Sequence, residues 1–366
     1  MKIFNHDITL STQERSEAIR FYSGRALGLS QPGDKVQMHP DLEAEWAEIA
    51  GHYRRIGLEC TDDVIWNTSV LETTQYPEYE TSFYFFGDVN NGVNSPSHQL
   101  FQKLNPQWCE VVEYINSKNN FVNLAETLGV AVPRTLCFDS AAAARVCDDL
   151  PFPCYVKPSV SDHGVGIARC ADAQELEVAL AELDGLGSLQ VQQELNTSIF
   201  LNLQYRAGAD QAEPLLASEQ ILDGCVHGGN RYPTAHEPWD HAQPIAQWLV
   251  DKGIKGLFGI DVAVVAMGDR VEYVSIECNP RFNGSSYPTV IAQRLNIPSW
   301  MSATCPTRHR SLGDIDLGDL EYNPATGKGV VLVNWGTVQA GKLSVLLAGS
   351  PEEQVQLQAQ LQNQLN

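Results

Sequence analysis

Two apolar runs between residues 259 and 278 carry the clearest pattern of hydrophobic and polar positions in the chain. The runs, 259–267 and 271–278, flank the short polar sequence Gly268-Asp269-Arg270. Two apolar, β-branched segments joined by a short glycine-containing turn predict an antiparallel β-hairpin. We take the turn as a three-residue loop formed by residues 268–270. This choice sets which side chains face each other across the hairpin.

In this register Asp261 lies directly opposite Glu277. The same register predicts one apolar face, made by the pairs Val262 with Ile276 and Val264 with Val274. Opposed residues have Cβ atoms roughly 4.5–5.5 Å apart, and like charges at that distance are destabilising unless a cation lies between them. Because side chains alternate along a strand, Glu277, Asn279 and Arg281 share a face. Carboxylate and amide oxygens suit Mg²⁺, and a guanidinium suits a phosphoryl group. The alternative is a solvated strand end with charges beside a turn.

A second segment, residues 153–167, combines an apolar strand with a small-residue loop. The strand ends at Lys157, and the loop contains Gly164 and Gly166. Glycines let backbone N–H groups approach phosphates closely, and a lysine adds a point charge. The segment has neither the Walker A sequence nor a G-x-G-x-x-G fingerprint. An ordinary strand followed by a glycine turn therefore remains an alternative.

The rest of the chain shows helical and strand patterns without chemistry of their own. Apolar spacing and turn residues predict these elements: helices over 40–56, 121–128, 242–252 and 354–364, a strand over 82–89, and a closing strand pair over 329–335 and 342–348. We expect a boundary near residue 115, after an Asn- and Gly-rich cluster, and another near residue 195.

Composition narrows the functional classes. The chain has 366 residues and a formal net charge of −21, which argues against nucleic acid and anionic membrane surfaces as partners. It contains no apolar run of roughly 20 residues, and its first residues are too polar for a signal peptide. Nine cysteines occur without a C-x-x-C pair, so we interpret them as reduced thiols. A cytoplasmic location is expected.

Together the segments resemble the ATP-grasp superfamily. The resemblance covers residues 116–300 and rests on motifs in the family's order: Lys157-Pro158, the glycine loop 164–166, the hinge strand 192–195, Gly259-Ile260-Asp261, and Glu277-Cys278-Asn279-Pro280-Arg281. Lys118, which precedes a predicted helix and the sequence Gly129-Val130-Ala131-Val132-Pro133, resembles the family's first ATP lysine.

The resemblance implies an α/β (α+β) protein with the ATP-grasp fold, in which two lobes grip ATP after an open α/β N-terminal domain. We assign residues 1–115 to the N-terminal domain and residues 116–195 to the small lobe. Residues 196–366 form the large lobe, with closing strands and a helix. ATP and Mg²⁺ are the implied cofactors, with two ions expected and Mn²⁺ able to substitute.

The resemblance also implies roles for individual residues. The predicted ATP contacts are Lys118, Lys157, Ser159, Ser161, Gly164, Gly166, Gln192, Gln193, Glu194 and Leu195. Asp261, Glu277 and Asn279 are the predicted metal ligands. Arg281 and Lys157 are the predicted catalytic residues. The family often has an acidic residue at the start of the hinge, where this chain has Gln192-Gln193, so the residue that reads adenine stays open.

Two further groups are candidates for substrate binding. Gln220, His227 and Arg231 belong to a glycine-rich segment, for which a surface omega-type loop is the alternative. Another candidate group follows the predicted metal strand: Asn283, Ser285 and Ser286.

The resemblance implies an ATP-dependent ligase that activates a carboxylate as an acyl-phosphate and couples it to an amine, releasing ADP and phosphate. We expect small-molecule acid and amine substrates, amino-acid or peptide-like, and we leave a homodimer open. The alternatives are a non-catalytic ATP-binding regulatory module and an enzyme with another acceptor, such as a thiol.

Overall fold

The structure, a computed structural model, describes residues 1–12, 16–161, 166–224 and 226–366. The strands of these residues, in chain order, are β1 (Lys2–Asn5), β2 (Lys35–Gln37), β3 (Val64–Ile65), β4 (Glu80–Phe83), β5 (Thr135–Phe138), β6 (Cys154–Pro158), β7 (Ala168–Cys170), β8 (Leu189–Gln193), β9 (Phe200–Ala207), β10 (Ala212–Asp223), β11 (Val226–Tyr232), β12 (Leu257–Met267), β13 (Arg270–Asn279), β14 (Trp300–Pro306), β15 (Gly329–Asn334) and β16 (Lys342–Ala348).

The α-helices are α1 (Trp46–Arg55), α2 (Pro96–Leu104), α3 (Pro106–Ile115), α4 (Lys118–Thr127), α5 (Ala141–Arg145), α6 (Ala173–Glu182), α7 (Trp239–Asp251), α8 (Ser286–Arg294) and α9 (Pro351–Leu365). The 3₁₀ segments are Glu17–Leu29, Pro40–Glu45, Val70–Gln75, Leu312–Asp314, Gly318–Leu320 and Trp335–Ala340. Each described helix is too short or too polar to span a lipid bilayer.

The chain forms two compact units. Unit 1 comprises Met1–Cys109, Gly228–Thr234 and Arg281–Asn366, and unit 2 comprises Glu110–His227 and Ala235–Pro280. The three sequence segments 1–115, 116–195 and 196–366 remain a prediction.

Unit 1 contains a parallel sheet in the order β3-β2-β1-β4. The strand predicted over residues 82–89 is present as the shorter strand β4, which ends at Phe83. Its neighbour β1 ends at Asn5, which is the partner of Phe83, so the ladder cannot continue. Beyond this point Phe86 packs into the core and stacks on Trp108, with ring centroids 4.2 Å apart.

Antiparallel strands in the order β11-β14-β16-β15 also belong to unit 1, with β11 contributing its residues from 228 onward. The predicted closing pair is present as β15 and β16. Its connection is a 3₁₀ segment, Trp335–Ala340, rather than a simple turn. The last helix, α9, begins with a capping box, in which Ser350 and Glu353 satisfy each other's backbone N–H groups.

All four predicted helices differ from the structure at their starts, and those predicted over residues 242–252 and 354–364 begin three residues earlier, at Trp239 and Pro351. Residues 40–56 form the 3₁₀ segment Pro40–Glu45 followed by α1, instead of one helix. The helix predicted over residues 121–128 begins earlier, because the side chain of Ser117 accepts a hydrogen bond from the N–H of Asn120 as an N-cap. Lys118 is therefore the first residue of α4, which places its side chain at a helix N-terminus.

Unit 2 contains a small antiparallel sheet in the order β5-β8-β6-β7 and antiparallel strands in the order β13-β12-β9-β10. Apolar residues of β6, β8 and α6 form the core beneath the small sheet, with Cys154, Val156, Val191 and Leu180 almost fully buried. This core holds β6 and β8 side by side and so positions the polar residues of these strands.

The predicted hairpin is present, but its register differs from the prediction. The loop has two residues, since Met267 pairs with Arg270. Val262 consequently pairs with Ser275 rather than with Ile276. A β-bulge then shifts the register between Asp261 and Val262, and this shift returns Asp261 to its place opposite Glu277.

Candidate functional site: an acidic pair and two buried lysines in unit 2

A carboxylate pair lies where β12 and β13 face each other. Asp261 is 9% exposed and pairs with Glu277 across the two strands. Its Oδ1 accepts a hydrogen bond from Asn202 Nδ2 at 2.5 Å, and its Oδ2 accepts one from Asn279 Nδ2 at 3.1 Å. The structure therefore brings all three predicted metal ligands together and adds Asn202 from β9.

Burial and the neighbouring charge of Glu277 raise the pKa of Asp261, while the amides of Asn202 and Asn279 lower it. Two carboxylates this close are unfavourable at neutral pH unless positive charge compensates them. Their oxygens, together with the amide oxygen of Asn279, form the hard donor set that Mg²⁺ prefers. The residues therefore fit a divalent cation of this class.

Lys118 lies next to this pair. Its Nζ is 3.1 Å from a carboxylate oxygen of Glu277 and donates to the carbonyl of Ser161 at 3.2 Å. The backbone N–H of Lys118 donates to the carbonyl of Ser159 at 2.7 Å, which ties the start of α4 to the residues after β6. A buried ammonium thus partly offsets the charge of the acidic pair.

Lys157 occupies the neighbouring strand β6 and is also buried. Its Nζ donates to Gln192 Oε1 at 2.7 Å, and Gln192 Nε2 donates to Thr135 Oγ1 at 3.0 Å. A glutamine here satisfies the lysine with a neutral acceptor. An acidic residue at position 192 would partly cancel the positive charge of Lys157, and the neutral amide of Gln192 does not.

The predicted phosphate loop begins with Ser159, whose N–H donates to the carbonyl of Ser188 at 2.9 Å. The hydroxyl of Ser161 is buried without a hydrogen-bond partner among the described residues. Gly166 has φ = +74°, and a Cβ there would lie 2.8 Å from the Pro158 ring, so a glycine is needed. Gly164 lies outside the described residues.

The predicted adenine-binding residues already have partners. The N–H of Gln193 donates to the carbonyl of Arg134 at 2.8 Å. The N–H of Glu194 donates to the carbonyl of Pro153 at 2.9 Å, and its carboxylate accepts from Arg169 Nε and Nη2 at 2.7 and 2.8 Å. Adenine recognition by these groups would require an exchange of partners. Their role, and that of Leu195, stays a prediction.

The glycine-rich segment that contains Gln220, His227 and Arg231 is not a loop. Residues 218–233 fall mainly in β10 and β11, so the omega-loop alternative is wrong. Gln220 Nε2 donates to the carbonyl of Leu201 at 3.3 Å. His227 and Arg231 are exposed on β11. A substrate role for these residues stays a prediction.

The remaining predicted residues belong to unit 1. The side-chain oxygen of Asn283 accepts from the N–H groups of Ser285 and Ser286 at 3.0 and 3.2 Å. These contacts shape the start of α8, so all three residues have a structural role at a helix N-terminus. Arg281 Nε donates to the hydroxyl of Tyr84 at 3.4 Å.

Sequence reasoning missed Asn202 and Gln204. Gln204 Nε2 donates to Asn202 Oδ1, and Asn202 Nδ2 in turn donates to Asp261 Oδ1. Both are buried on β9, where polar residues alternate with Leu201, Leu203 and Tyr205. A buried strand with polar side chains at every second position is the signal that could have found them, because buried amides need partners.

Comparison with known proteins agrees with this geometry. Residues 115–285 match the family model of the ATP-grasp domain. The match includes the segment that carries the acidic pair and both lysines, and the predicted resemblance to the ATP-grasp superfamily and the predicted fold class are confirmed.

Individual relatives show how far the similarity extends. The vancomycin C-type resistance protein VanC1 of Enterococcus gallinarum is 29% identical over 190 residues. That match covers 46% of this chain and 54% of VanC1, so the chain spans about half of the length of this relative.

Solved structures of similar fold cover nearly the whole chain. The ADP complex of PurK, an N5-carboxyaminoimidazole ribonucleotide synthetase, has a TM-score of 0.64 at 14% identity and covers 98% of this chain and 94% of its own. The L-amino acid ligase from Bacillus licheniformis has a TM-score of 0.56 at 12% identity, with 99% and 96% covered. At these identities the likeness shows the fold alone.

Proposed function

We propose that this protein is an ATP-dependent ligase that converts a carboxylate to an acyl-phosphate and couples it to an amine. The observation that carries the proposal is the joining of Asp261, Glu277, Asn279 and Lys118 in one cluster within the ATP-grasp domain. The L-amino acid ligase with a similar fold supports amino acids or peptide-like molecules as substrates.

The acidic pair is the proposed site for Mg²⁺, held by Asp261, Glu277 and Asn279. Bound there, Mg²⁺ would neutralise the charge of the terminal phosphates of ATP. The buried position of Asp261 supports this assignment, since an uncompensated carboxylate pair in that position is costly. With the charge of the pair compensated in this way, Lys118 could contact phosphate instead of Glu277.

Lys118 and Lys157 are proposed to bind the phosphates of ATP. Lys157 is kept in place by Gln192, and Lys118 is fixed at the start of α4. Both are nearly closed off from water, where a charge interacts more strongly than at a surface. Arg281, two residues after β13, is proposed to stabilise the transferred phosphoryl group.

The reaction proceeds in two balanced steps. A carboxylate oxygen of the acid attacks the γ-phosphorus, the bond to the β-phosphate oxygen breaks, and ADP leaves. The amine nitrogen then attacks the acyl carbon, the carbon–oxygen bond to phosphate breaks, and phosphate leaves as the nitrogen loses a proton. Neither step needs a protein nucleophile. The work of the residues is positioning and charge stabilisation.

The nucleotide product provides the test. The protein is incubated with ATP, Mg²⁺ and pairs of amino acids, and ADP, AMP and phosphate are measured. We expect ADP and phosphate in equal amounts, and hydroxylamine should trap a hydroxamate from the acid without the amine. Oxygen-18 in the acid carboxylate should appear in the released phosphate. AMP and pyrophosphate as products would overturn the proposal.

Two comparisons sharpen the test. A thiol in place of the amine tests the acceptor, because preferential thioester formation would exclude an amine ligase. Asp269→Asn, an exposed acid in the hairpin loop, is the matched control for substitutions in the acidic pair. Its turnover should equal that of the unaltered protein.

A further inference from the structure

Unit 1 contains a buried arginine surrounded by tyrosines. Arg25, in the 3₁₀ segment Glu17–Leu29, is 6% exposed. Its guanidinium carbon lies 4.2 Å from the ring centroid of Tyr287, 4.6 Å from that of Tyr84 and 5.0 Å from that of Tyr22. Aromatic faces attract a cation, so the rings explain how the charge is tolerated.

The rings do not satisfy all the hydrogen-bonding groups of this arginine. Nε and Nη2 of Arg25 are buried without a hydrogen-bond partner among the described residues. None of the ion pairs formed by the described part of the chain includes Arg25. Buried charged groups are normally paired and hydrogen-bonded. Within the described residues, these two nitrogens therefore lack an acceptor.

Further cations surround the same rings. Arg281 Nε donates to the hydroxyl of Tyr84 at 3.4 Å, and Lys342 Nζ lies 5.6 Å from the centroid of the Tyr22 ring. Burial alone would raise the pKa of the Tyr84 hydroxyl, but the charges of Arg281 and Arg25 hold it below its usual value. Tyr84 thus lies under the influence of two guanidinium groups.

The nearby histidine, His6, is uncharged and therefore does not pair with the arginine. His6 Nδ1 is 2.9 Å from the hydroxyl of Tyr287, and its Nε2 is 3.2 Å from the hydroxyl of Ser82. Burial, followed by the charge of Arg25, lowers the pKa of His6 well below its usual value, so the ring is neutral. Three cations gathered around tyrosines in a protein of net charge −21 indicate a place prepared for an anion.

We propose that Arg25, Tyr84 and Arg281 form an oxyanion-binding subsite that holds the carboxylate of the acid substrate. The guanidinium fork of Arg25 matches two oxygens of one carboxylate, and the tyrosine rings form apolar walls beside it. The identity of the ligand as the acid substrate rests on the proposed ligase function. The binding of an oxyanion at Arg25 can be tested without it.

The binding test uses simple anions as probes. The protein is saturated with Mg²⁺ and a non-hydrolysable ATP analogue, so that nucleotide-site phosphate binding is blocked, and is then titrated with acetate or inorganic phosphate. Acetate should raise the melting temperature of the unaltered protein, and Arg25→Met should abolish that rise. Stabilisation by phosphate alone would show a phosphate subsite and overturn the carboxylate assignment. An equal rise in Arg25→Met would overturn the subsite.

The control variant is Arg20→Met. Arg20 lies on the same 3₁₀ segment, rests on an aromatic ring 4.8 Å away and has a buried, unpartnered Nε, but its side chain is 43% exposed and 3.5 Å from Asp41. It should respond to acetate as the unaltered protein does. If Arg25→Met does not fold, Arg25→Lys and Tyr84→Phe provide the comparison, and an unchanged acetate response in both would overturn the proposal.

The kinetic test follows once an acid substrate is known. Arg25→Met should raise the KM for the acid by about a hundredfold, while the KM for ATP changes less than twofold, because charge-assisted pairing to the acid is lost. Arg25→Lys should recover part of the loss. Equal changes in both KM values, together with a lower melting temperature, would show a structural role only. Absence of ADP formation with every acid would refute the ligase function and leave the acetate result to decide the subsite.

Discussion

Replacing Asp261 with asparagine tests the acidic pair through stability rather than activity. The substitution keeps the shape of the side chain and removes one of two opposed charges. The new amide oxygen can still accept the hydrogen bond that Asn202 donates, and the amide of Asn279 can rotate to accept from the new amide nitrogen. The main change is therefore electrostatic.

The size of the effect follows from the geometry. Two unit charges about 5 Å apart repel by roughly 3 kcal/mol at an effective dielectric constant of about 20. The ammonium of Lys118, 3.1 Å from Glu277, offsets part of that repulsion, and the raised pKa of Asp261 relieves more of it because the pair can bind a proton. A net gain of about 1–2 kcal/mol remains for Asp261→Asn without divalent ions. For a unit of this size that gain corresponds to a rise of roughly 2–8 °C in melting temperature.

The assay is thermal unfolding in EDTA and in Mg²⁺ with a non-hydrolysable ATP analogue. In EDTA the unaltered protein should melt at a lower temperature than Asp261→Asn. It should gain stability when Mg²⁺ and nucleotide are added, because ligands that bind only the folded state stabilise it. Asp261→Asn should gain much less. Asp269→Asn should behave like the unaltered protein in both conditions.

Two results would refute this reasoning. A lower melting temperature of Asp261→Asn in EDTA would show that the carboxylate pair is not repulsive in the folded protein. An equal response of Asp261→Asn and the unaltered protein to Mg²⁺ would remove Asp261 from the metal site.

Three further predictions concern single residues. Glu277→Gln should reduce ADP formation by about 10²–10³ with unchanged folding, as measured by turnover at saturating Mg²⁺; near-normal turnover would exclude Glu277 from the mechanism. Gln192→Glu should preserve or raise the melting temperature, since it pairs with Lys157, but should raise the KM for ATP about tenfold or more because the charge of Lys157 is cancelled; an unchanged KM would contradict the role of Lys157. Glu321→Gln should lower stability at pH 7 and lose that effect as the pH falls. Burial would raise the pKa of Glu321, but hydrogen bonds from Arg55 and His52 hold this pKa at about 2. Because the pKa of a glutamate in the unfolded chain is about 4.3, the stabilisation is fully present above about pH 4.3 and is lost as the pH falls toward about 2. Urea unfolding at pH 7 and pH 3 measures it, and a difference independent of pH would refute the pairing.

The hairpin shows how far local pattern can lead. Its apolar runs and polar face were predictable from side-chain alternation alone. The opposition of Asp261 and Glu277 was predicted from a three-residue loop, and it holds only because a bulge offsets the shorter loop of the structure. The loop length was not, because two- and three-residue turns share the same glycine and polar residues. The bulge between Asp261 and Val262 compensates for the shorter loop. Bulges depend on how neighbouring strands pack, which the local sequence does not encode.

The Arg25 subsite had no sequence signal. Arg25, Tyr84 and Arg281 come from three distant parts of the chain, and of the three only Arg281 belongs to a spacing that predicts anion binding. Only the packing of the 3₁₀ segment against the residues after β4 and β13 brings them together. A buried guanidinium with two nitrogens that lack an acceptor among the described residues becomes visible only when its surroundings are known.

The sequence by itself determined the ATP-grasp motifs, the hairpin and the acidic residues of its polar face, because these depend on local periodicity and on residue chemistry at short spacing. The tertiary structure decided which groups satisfy one another. It assigned Gln192 to Lys157, Asn202 to Asp261 and Arg169 to Glu194. Such pairings join strands far apart in the chain, and a hydrogen bond forms only where folding brings a donor within about 3 Å of its acceptor.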